Sequence, residues 1–240
     1  MLDNTVIIIT LGSLTAAFVN AAFATGGIYI MLLTSVSVLP ASLAIPLQIA
    51  FSASSLTARI VFFWQHIDWR IVRTFVPGCL FGVYLGTLAF ASLPDATLLM
   101  WLGIVLLILI WMPEIKRQVP FKSLFFFIGI VHSYLGALFG VGGVLQPFVL
   151  RTNLQKLQIT GTLAACMMAL DIMKAAGYLS FGFNYVDFIP HIIGATVAGF
   201  VGTWLGKRVT HRVSEKLFRQ VFRLLVSLIA FRLIYKGWTG

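Results

Sequence analysis

The stretch Ala22-Phe23-Ala24-Thr25-Gly26-Gly27 returns in looser form as Leu138-Phe139-Gly140-Val141-Gly142-Gly143, at an offset of 143 − 27 = 116 residues. A second match keeps the same register. Gly78-xxx-Gly82-xxx-Gly86-Thr87 lines up with Gly194-xxx-Ala198-xxx-Gly202-Thr203, and 194 − 78 is again 116. One small-residue match is common in apolar sequence, but two in one register without a gap are not. Duplication of this kind builds many secondary transporters, with the substrate held where the halves meet.

Outward from these motifs the chain is membrane-type throughout. It is 60% hydrophobic and 10% charged, with a mean hydropathy of +0.99. A soluble domain averages about 25% charged residues. The long apolar runs must therefore face lipid or each other, and no stretch is left for a soluble domain. The start, Met1-Leu2-Asp3-Asn4, has an acid and no Lys or Arg, so the run from Thr5 reads as a retained membrane segment rather than a cleaved signal. The net charge of +10 does not point to nucleic acid, because the basic residues cluster between apolar runs, where they set membrane orientation.

Apolar segments run over 5–24, 28–39, 43–63, 71–91, 97–112, 123–139, 144–150, 157–180, 188–206 and 217–235. A crossing needs about 20 apolar residues, so 28–39 and 144–150 are too short to be ordinary spans. Each follows a Gly-Gly pair. Glycine costs roughly 1 kcal/mol relative to alanine inside a helix, which makes such a pair a natural break, and Pro40 and Pro147 add others.

The expected fold is all-α, with two repeats. Residues 1–116 give a broken hairpin (5–39) and helices 43–63, 71–91 and 97–112. Residues 117–240 give a broken hairpin (123–150) and helices 157–180, 188–206 and 217–235. The loops with Arg70 and Arg73, with Lys116, Arg117 and Lys122, and with Lys207, Arg208, Arg212, Lys216 and Arg219 are expected inside, as is the Arg151 to Lys156 turn. Those with Asp95 and Asp187 are expected outside. Equivalent helices then point in opposite directions, so the repeats are inverted, with both termini external. Arg232 and Lys236, near the expected outer end, argue against this orientation. The glycines at four-residue spacing read first as a close helix–helix face.

Phe139-Gly140-Val141-Gly142-Gly143-Val144-Leu145-Gln146-Pro147 resembles the glycine-rich signature of the TauE/SafE family of sulfite exporters, with Ala22 to Gly27 as a degenerate first copy. Ile67-Asp68-Trp69-Arg70 and Tyr185-Val186-Asp187-Phe188 resemble that family's Val-Asp-Trp-type loop. The family's third glycine is replaced by Ile28 and Val144, its leading glycine by Ala24 and its proline by Met31 in the first half. The resemblance spans nearly the whole chain. It implies a permease of the bacterial plasma membrane for sulfite or short organosulfonates, and it leaves the exact anion open.

Half-helices starting after Gly26-Gly27 and Gly142-Gly143 would carry about +0.5 of a charge at their N-termini. Two such ends near the bilayer midplane would bind an anion; the alternative is a plain packing turn. Lys174, with Asp171 one turn before it, lies inside an apolar segment. It either lends positive potential to the anion, with Asp171 tuning it or coupling a proton, or forms a structural ion pair. Arg59 lies in the equivalent turn, since 174 − 59 is 115, but snorkelling to the headgroups explains it as well. Asn20, Gln48, Ser52, Ser55, Gln146, Thr160, Thr162 and Cys166 are the polar residues that would complete the site, each with a helix–helix hydrogen bond as its alternative role.

His132 and His191 lie near apolar segments, with buried packing preferred over proton relay. Cys79 and Cys166 form no spaced motif, and no metal, nucleotide or triad pattern occurs. The expected protein is thus not an enzyme, uses no cofactor and has a small anion and the bilayer as partners. Whether it is a homodimer stays open. An anion channel, a permease for another small carboxylate or sulfonate, and a membrane-embedded enzyme or assembly factor are the other classes.

Overall fold

The computed structural model describes residues 4–23, 26–112, 124–209 and 215–239. Among them every regular element is helical. The helices are α1 (Asn4–Phe23), α2 (Gly27–Val38), α3 (Ala41–Phe63), α4 (Trp69–Ser92), α5 (Asp95–Trp111), α6 (Leu124–Phe139), α7 (Leu145–Val149), α8 (Lys156–Ser180), α9 (Ile189–Val209) and α10 (Glu215–Thr239). Single 3-10 turns cover Trp64–His66 and Val186–Phe188. Each expected apolar segment becomes one helix, with ends shifted by a few residues. Ala24, Thr25, Lys116, Arg117, Lys122, His211 and Arg212 lie outside the described residues, as do the side chains of Ser55, Lys156, Lys207, Lys216 and Arg219.

Asn4–Ala21, Trp69–Ser92, Leu157–Ser180 and Val186–Gly206 are long and apolar enough to cross a membrane. A fifth span forms if Ala41–Ser54 and Arg59–His66, bent by 50°, count as one. The helices Asp95–Trp111 and Leu124–Phe139 are shorter. Helix α10 is long, but Arg219, Arg223, Arg232 and Lys236 interrupt its apolar run. Among the described residues, length and composition thus single out four or five spans. The chain is an integral multi-pass membrane protein.

Contacts divide the chain into two compact units. Unit one holds Met1–Phe51, Pro94–Trp111 and Asn184–Gly240; unit two holds Ser52–Leu93 and Met112–Phe183. Neither coincides with a sequence repeat, because each joins helices from both halves. In unit one, α1 packs on α9 and α5 on α10. In unit two, α4 packs on α6 and α8. By the 116-residue offset α1 corresponds to α6 and α4 to α9, so the two units make the same pairing with the roles of the halves exchanged.

The glycine faces explain these pairs. A Cβ on Gly78 or Gly82 would run into the carbonyl oxygen of Phe126 or Ile130, and one on Gly86 would lie 2.7 Å from that of Tyr134. In unit one, a Cβ on Gly202 or Gly206 would meet the carbonyl oxygen of Leu14 or Phe18. Without side chains the backbones approach closely, and van der Waals packing replaces the hydrophobic drive that lipid cannot supply. The opposite faces are the bulky ones: Leu80, Phe81, Tyr84 and Leu85 on α4, and Ile193, Val197, Phe200 and Trp204 on α9, are exposed. Small residues inside and large apolar ones outside is the arrangement a bilayer selects.

Helix starts are set by local capping. Asp68 is the N-cap of α4, its carboxylate accepting the Arg70 N–H at 2.9 Å. Its own N–H is held by the Thr162 hydroxyl of α8 at 2.9 Å. This gives the Ile67-Asp68-Trp69 loop a structural purpose.

Candidate functional site

The diglycine at 142–143 is a turn whose loose ends are satisfied within unit two. Helix α6 ends on Gly140, whose φ of 76° is left-handed and whose N–H bonds the Gly136 carbonyl at 3.1 Å. The Tyr178 hydroxyl donates to the Ala137 carbonyl, taking up another of the last-turn acceptors. After Gly143, with φ 64°, the chain starts α7. Two of the N–H groups freed there turn back to α6. Leu145 N–H donates to His132 Nδ1 at 3.1 Å, and Val144 N–H divides between that atom at 3.2 Å and the Gly142 carbonyl at 2.8 Å. A Cβ on Gly142 would collide with the His132 ring, so this glycine is needed for the imidazole to seat.

This bears on the expected helix dipole. Helix α7 has five residues, too short to build a macrodipole, and two of its early donors already face His132. Gln146, the polar residue on it, is exposed.

The diglycine at 26–27 in unit one differs. Gly26 takes a φ of 95°, and Gly27 lies so close to α1 that a Cβ would be 2.5 Å from the Ala16 carbonyl oxygen and 2.8 Å from the Asn20 Cβ. The structure thus joins Gly27 and Asn20. Helix α2 runs for 12 residues and has no side-chain cap at Gly26. Gln48, in the same unit, is buried, and its Nε2 has no hydrogen-bond partner among the described residues.

Unit two holds the charged group. Lys174 is 3% exposed on α8, and its Nζ lies 3.3 Å from Asp171 Oδ1. The other oxygen, Oδ2, accepts from the Ser52 hydroxyl at 3.1 Å. Three expected residues therefore form one chain, Ser52–Asp171–Lys174. Other expected residues of unit two have surroundings of their own. Thr162 is fully buried at the Asp68 N–H. Cys166 sits with Cys79 in an apolar cluster with Phe75, Ile128 and Leu170. Arg59 is half-buried past the bend in α3.

Two open cavities lie in unit one. One, of about 630 Å³, is an apolar groove of α5 and α10 lined by Trp111, Leu228 and Phe231. The other, of about 390 Å³, is lined by Pro40, Asp95 and Lys236. Neither contains an expected site residue.

A family model described as sulfite exporter TauE/SafE matches residues 9–233. The chain belongs to the TauE/SafE family. No curated protein and no solved structure matches it. Membership makes this TauE/SafE chain a transporter by family, and the resemblance read from its glycine motifs holds over nearly its full length. His132 was passed over in the sequence as packing. The available signal was an asymmetry: position 132 − 116 = 16 is Ala16 in the first copy, so the second break acquired a polar group that the first lacks.

Proposed function

We propose that the chain is a permease of the bacterial plasma membrane that moves a small sulfur-containing anion, sulfite or a short organosulfonate, outward by alternating access. The observation that carries this reading is the part-buried Ser52–Asp171–Lys174 chain, with Lys174 itself buried, inside a TauE/SafE protein. Ionisable groups within a membrane segment cost about 2.5–3.5 kcal/mol each on insertion scales and are kept where they serve a pathway.

The pair suggests a coupling scheme. A singly charged oxyanion arriving at Lys174 replaces the Asp171 carboxylate as its partner, and Asp171 takes up one proton as it lets go. Before the exchange the site holds one cation and one anion. Afterwards it holds one cation, one anion and one neutral acid. Its net charge is zero in both states, so no extra charge is left in a low dielectric. The Ser52 hydroxyl can donate to the carboxylate or accept from the acid, so it stays bonded throughout.

Unit one has donors of its own: the start of α2 after Gly26-Gly27, where Gly26 brings no side-chain cap, and the Gln48 amide. The N-terminus of a 12-residue helix attracts anions without a formal charge. The loop Lys and Arg residues support an orientation with both termini external.

The test is flux of sulfite, methanesulfonate, thiosulfate, sulfate and acetate into liposomes holding the purified protein, with and without a pH gradient. Saturable sulfite or sulfonate flux at carrier rates is expected. Faster movement of acetate would overturn the substrate class, and flux far above carrier turnover would make the protein a channel.

A further inference from the structure

His132 has an unused donor. It is 5% exposed, and its Nε2 has no hydrogen-bond partner among the described residues. Its Nδ1 faces the N–H groups of Val144 and Leu145 at 3.2 and 3.1 Å, so that nitrogen must be the acceptor. The ring's proton therefore sits on Nε2. Protonating Nδ1 as well would set a hydrogen against two others, so the geometry keeps the ring neutral with one N–H pointing away from the break. Burying such a donor unpaired is costly, and native structures retain few of them. The ring is fixed from several sides. Gly142 leaves it room, and the Phe75 ring lies 6.1 Å away. Lys174 belongs to the same compact unit.

We infer that His132 contacts the transported anion directly, donating its Nε2–H to an oxyanion oxygen, with the second diglycine break acting as the clamp that fixes the tautomer. The break's N–H groups do not bind the anion themselves. They fix the imidazole, and the imidazole presents one oriented donor. A donor of this kind suits an oxygen that accepts, as every oxygen of a sulfonate and the unprotonated oxygens of hydrogensulfite do. The inference rests on the proposed function in taking the anion to enter unit two near Lys174.

The experiment uses full-length protein with 15N-labelled histidine, together with the variant His132→Asn. Asparagine can place an oxygen near Nδ1 and keep the break capped, but it has no donor at the Nε2 position. The variant also identifies the His132 signals by their loss. In the wild type, Nδ1 is expected in the unprotonated range at rest, with the Nε2 signal shifting when sulfite or methanesulfonate is added. His132→Asn is expected to unfold near the wild-type temperature and to bind sulfite about ten- to a hundredfold more weakly, as for a hydrogen bond to a charged group. A protonated Nδ1 at rest would overturn the inference. Sulfite binding that leaves Nε2 unmoved would overturn it too, while sparing the sulfur-anion reading. Acetate binding with an Nε2 shift, and no sulfite binding, would sink the substrate class and keep the donor role. No binding of any of the three anions would sink both.

Discussion

Gly82 of α4 lies so close to Ile130 of α6 that a single added methyl would collide with the Ile130 carbonyl oxygen. Gly82→Ala should therefore destabilise the protein by about 1–3 kcal/mol, the usual cost of overpacking. Gly199→Ala is the control, because its Cβ would lie 3.5 Å from the Ser13 hydroxyl oxygen, in ordinary contact. That change should be neutral, or stabilising by up to about 1 kcal/mol through helix propensity. Thermal unfolding in detergent separates the two, and equal effects would show that the α4–α6 approach is looser than described.

Lys174 and Asp171 should behave as one unit. Lys174→Met leaves a largely buried carboxylate without its cation and should cost about 3–5 kcal/mol. Adding Asp171→Leu removes the orphaned charge and should restore most of that stability. Sulfite flux should stay absent in both variants. Flux persisting in the stable double variant would reduce the pair to a device for inserting α8.

The charge balance proposed for that pair sets a rule for driving forces. One proton moving with one singly charged anion carries no net charge, so clamping the membrane potential should leave sulfite flux unchanged while a pH gradient drives it. An uncoupled anion would gain about 2.3 kcal/mol per 100 mV. Asp171→Asn should make any remaining flux insensitive to the pH gradient and responsive to potential. Potential-driven flux in the wild type would rule the scheme out.

Thr162 should matter to stability rather than to the anion. Its hydroxyl accepts the Asp68 N–H at 2.9 Å from a fully buried position. Thr162→Val leaves that N–H unpaired and should cost about 1–3 kcal/mol, with sulfite affinity unchanged. Thr162→Ser should retain most of the bond. A loss of affinity in folded Thr162→Val would return this residue to the site.

Much of the architecture was legible because membrane helices are written locally. An apolar run reaches its length limit, or meets Gly26-Gly27, Pro40 or Gly142-Gly143, and the helix ends there. The Asp171–Lys174 pair was also local, since three residues along a helix is one turn. Ser52 was harder: it reaches Asp171 from 119 residues away, and only its polarity near a break marked it. His132 and Tyr178 were missed as caps because a cap is defined by where a distant chain end comes to rest. A lone His or Tyr in apolar sequence carries no trace of that.

Composition and spacing alone determined that this is a helical membrane protein, where its helices begin and end to within a few residues, and which faces are smooth; the family followed from the likeness of its glycine-rich motifs, matched over residues 9–233. Tertiary structure alone decided that α1 seats on α9 and α4 on α6, so that each compact unit draws on both repeats. It also decided that the second break's donors are taken by an imidazole. A row of glycines encodes how near a neighbour may come, but any smooth helix satisfies it. The partner follows only when all the faces compete for one another within the bilayer.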